Sequence, residues 1–107
     1  MSRLHKLRST RDFQRLRAEG ASGRSDGIVA QISPRQGPTR LGLTVGRRSG
    51  SSVARNRLRR RLRAVYQAHG APEGYDVVLV ARREAAELAY QELETHVVTA
   101  MARAGAR

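Results

Sequence analysis

From Arg40 to Gly46 the chain alternates Leu41, Leu43 and Val45 with Gly42, Thr44 and Gly46. A period of two sends successive side chains to opposite faces, so this segment predicts a strand with one buried face. Ile28 to Ile32 predicts a shorter strand, and the Pro and Gly of SPRQGPT at 33–39 mark a turn between the two. Together they predict a hairpin. Tyr75 to Ala81, YDVVLVA, is a continuous apolar run of β-branched character. Such a run suits a strand covered on both faces, placing it at the centre of the sheet.

The helical pattern follows a longer period. Residues 9–19, STRDFQRLRAE, open with a Ser or Thr cap and set Phe13 and Leu16 at i, i+3 before Gly20, a short amphipathic helix with a small apolar face. The Gly/Ser-rich stretch at 20–27 reads as a turn. Gly50, Ser51 and Ser52 supply a turn and an N-cap for a helix from Val53 to about Ala68 that stops at Gly70 and Pro72. At about 100° per residue, Ala54, Leu58, Leu62 and Val65 form one stripe, and Asn56, Arg57, Arg59, Arg60 and Arg63 occupy the opposite arc. A last helix, roughly 84–103, carries Leu88, Leu93, Val97 and Met101 near helical spacing and ends at Gly105. Leu88-Ala89-Tyr90 leaves its start open.

The length, 107 residues with 39% hydrophobic content, supports one core, so residues 1–107 are expected to form a single domain, with 1–8 a flexible segment. No apolar run is long enough for a bilayer span, and MSRLHKLRSTRDF lacks a signal-peptide core, so a soluble, cytoplasmic protein is expected. The absence of cysteine excludes disulfides and thiolate metal sites, and His5, His69 and His96 are too far apart for a local ligand motif. No bound metal is implied.

Charge changes the picture. The net charge is +12, and residues 27–72 carry ten Arg and no acid, whereas residues 73–107 hold six acids against four Arg. That asymmetry predicts one cationic face. Arg55-Asn56-Arg57-Leu58-Arg59-Arg60-Arg61-Leu62-Arg63 places six Arg in nine residues. Like charges at i, i+4 cost a helix roughly 0.2–0.5 kcal/mol per pair. A polyanion reverses that cost, because each phosphate neutralised releases condensed counterions. A helix serving only solubility would mix in acids, and none is present here. Metal-dependent nuclease chemistry in the protein itself needs clustered carboxylates, yet the acids stand at Asp12, Glu19 and Asp26 and then beyond residue 72. No second helix precedes Val53 at helix-turn-helix spacing.

The ordered motifs are more specific than the charge. Leu41-Gly42-Leu43-Thr44-Val45-Gly46-Arg47-Arg48, then Gly50-Ser51-Ser52-Val53-Ala54-Arg55-Asn56-Arg57-Leu58-Arg59-Arg60, resembles the signature strand and "RNR" helix of the bacterial ribonuclease P protein family. Asp12-Phe13 with Gly20 resembles that family's first helix, and Tyr75 to Arg82 its last strand, so nearly the whole chain is covered. The resemblance implies an α+β, single-domain α-β-β-β-α-β-α sandwich with a four-stranded mixed sheet and a left-handed βαβ crossover, opposite to the general rule. It implies a non-catalytic subunit that helps a catalytic RNA remove the 5′ leader from precursor tRNA, with Mg²⁺ held by the RNA, no cofactor on the protein alone and a monomeric free protein. Arg47, Arg48, Arg55, Asn56, Arg57, Arg59, Arg60 and Arg63 are then expected to face the RNA. A cleft lined by Phe13, Arg17 and Gln31 is expected to take the single-stranded leader, where stacking on the ring tolerates any sequence. Phe13 is equally suited to a plain core position. The chain departs from the family near Arg17 and around Ile28 to Gln31, where further cleft aromatics are usual, so Arg and aliphatic contacts are expected to replace stacking. Arg61 replaces a usually apolar residue and is expected to snorkel. The competing class, a small structural RNA-binding protein of ribosomal type, shares the composition but not the ordered motifs.

Overall fold

The computed structural model describes residues 5–69 and 73–105. The helix stop expected at Gly70 and Pro72, and residues 1–4 of the segment expected to be flexible, lie outside the described residues. The elements are β1 (His5–Lys6), α1 (Thr10–Glu19), β2 (Ala21–Ser25), β3 (Ile28–Pro34), β4 (Arg40–Val45), α2 (Ser52–Ala68), β5 (Tyr75–Ala81) and α3 (Tyr90–Arg103). Short 3-10 turns at Arg47–Ser49 and Arg83–Glu87 follow the two parallel strands β4 and β5.

The sheet runs β1-β4-β5-β3-β2 and has five strands, not the expected four. The additional strand is β1, two residues long, which pairs in parallel with β4 at Arg40 and Leu41. Leu7 extends the pairing by donating its N–H to the Leu41 carbonyl at 3.0 Å. Two residues carry no period, so the pattern could not disclose them. The stretch 20–27 is likewise not a turn throughout. Its first part is β2, antiparallel to β3, and Asp26-Gly27 alone forms the hairpin loop between the paired Ser25 and Ile28.

The expected hairpin of residues 28–32 with 40–46 does not form, because β5 lies between them. It pairs antiparallel with β3 from Ile28–Ala81 to Pro34–Tyr75, and parallel with β4 from Arg40–Asp76 to Val45–Ala81. The physical reason is burial: β5 is apolar on both faces and gains most with a strand on either side. Its central place was correctly read from that composition.

One face of the sheet presents Ile28, Ala30, Ile32, Leu41, Val45, Val77, Leu79 and Ala81 to the main core. Leu58, Leu62, Val65 and Tyr66 of α2 and Leu93, Val97 and Ala100 of α3 cover it. Helix α3 approaches β2 so closely that a Cβ on Gly23 would lie 2.2 Å from the Ala100 carbonyl oxygen, so only glycine fits there. The turn at Arg83–Glu87 and the extended Leu88 and Ala89 separate α3 from β5, which settles the ambiguous start, and Glu92 caps the helix by accepting the Ala89 N–H at 3.1 Å.

The opposite face is covered over only part of its area. Leu16 of α1 and Leu7 bury Val78, with Phe13 and Val80 partly buried beside them. Helix α1 is short and its apolar side narrow, so the rest of this face stays open.

Candidate RNA interface

Helix α2 begins where Gly50, at φ 126°, turns the chain and the Ser51 hydroxyl accepts the Ala54 N–H at 3.2 Å. Its apolar stripe faces the sheet and its outer arc is left to solvent. Asn56, Arg57 and Arg60 are exposed, and Arg59 and Arg63 half-buried. Asn56, Arg59, Arg60 and Arg63 line a shallow depression with the exposed Val53. The Asn56 amide oxygen accepts from Arg59 Nη1 at 3.0 Å, which orders that guanidinium on the surface. Arg61 is half-buried beside the stripe, as its snorkelling position requires.

Arg55 stands apart from this group. Helical phase puts it between Leu62 and Tyr66, its Nε is enclosed with no hydrogen-bond partner among the described residues, and its Nη2 reaches back to Ser52 Oγ at 3.3 Å. Arg47 and Arg48 sit exposed on the 3-10 turn that leads into α2.

On the open face of the sheet, Phe13, Arg17 and Gln31 do come together. They line a cleft of about 340 Å³ with Val29, Thr44, Val78, Val80 and Arg82. Phe13 is half-buried and its ring tip closes on Gly42: a Cβ there would stand 2.6 Å from its Cζ. Its position serves both readings of the residue, core contact on one side and cleft wall on the other. The cleft continues into a second hollow lined by Arg47, Arg48, Arg82 and Arg83, and Arg82 belongs to both. The Arg82 N–H is anchored to the Gly27 carbonyl at 2.8 Å. Sequence reasoning missed Arg82, although the parity of β5 puts 78, 80 and 82 on one face. A basic path therefore leads from the cleft to the turn before α2.

Not every arginine is available to a ligand. Asp76, fully buried on the cleft face of β5, accepts from Arg40 Nε and Nη2 at 2.7 and 2.8 Å and from Arg15 Nη2 at 2.5 Å. Burial by itself pushes the Asp76 carboxyl up, but the hydrogen bonds and charges of Arg40, Arg15 and Arg35 outweigh it and hold the group below the ordinary carboxylate range. Hydrogen bonding to Asp76 raises the Arg40 guanidinium in turn. Among the described residues no group of three or more His, Cys, Asp or Glu side chains comes together to hold a metal ion.

Fold and site together define a class: a small basic α+β protein that offers an arginine-rich helix face and an adjoining open cleft to a polyanion. The family model for ribonuclease P matches residues 1–105. The chain is 36% identical over 98% of its length to the ribonuclease P protein component of Paramagnetospirillum magneticum, covering 86% of that protein. It is 34% identical to that of Symbiobacterium thermophilum, over 98% of this chain and 95% of the other. The RNase P protein of Thermotoga maritima, solved with 1-(4-fluorophenyl)-2-thiourea, superposes with a TM-score of 0.80 at 26% identity over 87% of this chain and 94% of its own. That of Staphylococcus aureus shares the fold, with a TM-score of 0.88 at 21% identity over 97% and 98%. The chain belongs to the ribonuclease P protein family. Its part is that of a protein component of an endoribonuclease of tRNA processing, which sets aside the ribosomal-type alternative.

Proposed function

We propose that the outer arc of α2, Asn56, Arg57, Arg59, Arg60 and Arg63, together with Arg47 and Arg48, binds the catalytic RNA. Arg55 assists through its outward Nη atoms. In the same reading the cleft of Phe13, Arg17 and Gln31 binds the single-stranded 5′ leader of precursor tRNA. The observation that carries the proposal is the open path between the two, edged by Arg82, Arg47 and Arg48. A continuous strand can leave the cleft and meet the RNA bound on α2 without crossing an acidic surface other than Glu84.

The exposed arc of α2 is roughly 12 Å long at about 1.5 Å per residue, enough for two or three phosphates. Magnesium ions held by the RNA supply the hydrolytic chemistry, and the protein's guanidinium groups reduce the repulsion between catalytic RNA and substrate. The reading also takes the β4-α2-β5 crossover as left-handed, the free protein as a monomer and the site of action as the cytoplasm. No helix among the described residues is long and apolar enough to cross a membrane.

The test is cleavage of precursor tRNA by a bacterial ribonuclease P RNA at low magnesium, with and without this protein. The protein is expected to restore cleavage that the RNA alone loses. No stimulation by freshly folded protein would contradict the proposal.

A further inference from the structure

Helix α1 rests on the sheet through Leu16, and at about 100° per residue its two flanks carry different chemistry. Asp12 and Arg15 lie to one side of Leu16, Phe13 and Arg17 to the other. Among the described residues, every side-chain hydrogen bond or ion pair tying α1 to the sheet leaves from the first flank. Arg15 donates to Asp76 at 2.5 Å and to Ser33 Oγ at 3.2 Å, and Asp12 stands 3.4 Å from Arg40. The other flank, which faces the cleft, is held only by the apolar packing of Phe13 on Gly42 and against the cluster of Leu7, Leu16 and Val78.

Asp76 is the hub of the tethered side. Its carboxylate also takes both bonds from Arg40, and Arg35 Nε lies 3.6 Å away, so α1, β4 and the turn after β3 are all held by one buried group of β5. A helix of ten residues whose one fully buried side chain is Leu16, with Phe13 half-buried beside it, could roll about its axis at small cost in buried area. Directional, charge-assisted bonds on one side resist that roll.

We infer that Asp76 is a positioning residue for the cleft: by holding Arg15 it sets the roll of α1, and with it the place of Phe13 and Arg17 at the cleft wall. The inference rests on the leader-binding reading above. Asp76 has no exposed surface and cannot touch RNA, so any effect of its replacement on the substrate passes through the residues it holds.

The experiment uses holoenzyme assembled from a bacterial ribonuclease P RNA and this protein, and compares its affinity for a precursor tRNA with that for the same tRNA lacking its leader. Asp76→Asn is expected to reduce the affinity gained from the leader by about fivefold, the equivalent of one misplaced contact. Affinity for the catalytic RNA, which α2 governs, stays unchanged. Arg15→Ala should produce the same loss, and the double variant no more than either alone. Val97→Ala, which weakens the fold from the opposite face of the sheet, should leave the leader's contribution intact. An unchanged leader contribution in folded Asp76→Asn, while Phe13→Ala diminishes it, would overturn the inference alone. No effect of Phe13→Ala or Arg17→Ala would instead sink the leader reading itself. Should Asp76→Asn not fold, Arg15→Ala decides. Lost leader affinity with the salt slope preserved supports positioning, whereas a flattened slope shows that Arg15 contacts RNA directly and overturns it.

Discussion

Tyr66 is 4% exposed and its hydroxyl has no hydrogen-bond partner among the described residues. Burial, with the charge of Glu73, pushes its ionisation far above the ordinary phenol range, so the group is a neutral, unsatisfied hydroxyl in the core. Replacing it by Phe keeps the ring and removes the desolvated oxygen. Tyr66→Phe is therefore expected to leave stability unchanged or raise it by about 1 kcal/mol in thermal or urea unfolding. Asp76 behaves in the opposite way. Its folded pKa is depressed, so the stability it contributes is present above the unfolded carboxylate value and is lost as pH falls through the folded one. Wild type should therefore weaken sharply in acid below about pH 4. Asp76→Asn, already missing the interaction and about 3 kcal/mol less stable at neutral pH, should lack that part of the acid dependence. Equal acid profiles for the two proteins, measured by circular dichroism, would contradict this. Neither residue announced its role in the sequence. The apolar stripe read from the sequence leaves Tyr66 out, and Asp76 sits inside an apolar strand where only the arginines converging from α1, β4 and the turn at Arg35 explain it.

At the scale of elements, α2 was the most legible because its two faces differ in kind: aliphatic residues toward the sheet, guanidinium groups away from it. Arg57 and Arg60 make no hydrogen bond or ion pair within the described residues and are exposed. Changing both to Ala is expected to leave the fold intact while weakening holoenzyme assembly. The slope of log affinity against log salt should fall by roughly 1.5 to 2 if each touches one phosphate. Titration of labelled RNA at several salt concentrations measures both, and an unchanged slope would mean that the wrong face was assigned. Arg55, grouped with these by its motif, is distinguished by helical phase, which places its stem among Leu62 and Tyr66. The strands were less legible. Asp26-Gly27 is the strongest short hairpin dipeptide in the chain, but the Gly and Ser around it hid β2, which is held by its ladder with β3, by α3 packing on Gly23 and by the Ser25–His96 hydrogen bond.

For the whole molecule the decisive quantity is a net charge of +12 on a chain whose acids are concentrated after residue 72. Three of its arginines, Arg15, Arg35 and Arg40, are engaged by Asp76, and among the described residues no other arginine has an ion pair with an acid. The folded protein therefore repels itself, and multivalent anions should stabilise it beyond simple screening. Phosphate or sulfate is expected to raise the unfolding midpoint more than chloride at equal ionic strength. Equal midpoints would indicate that the basic surface offers no site where anions bind in preference to dispersing.

The sequence by itself determined the α+β class, the central place of β5, the amphipathic character of α2 and the sign of its outer face. These follow from hydrophobic period and local charge, which neighbouring residues specify. Only the tertiary structure decided that β5 separates β3 from β4, that a two-residue β1 lies at the sheet edge, and that Arg82 joins Phe13, Arg17 and Gln31 in one cleft. Those outcomes depend on which strand gains most from being buried on both sides and on how little of the second face a ten-residue helix can cover, quantities set by contacts between residues far apart in the chain.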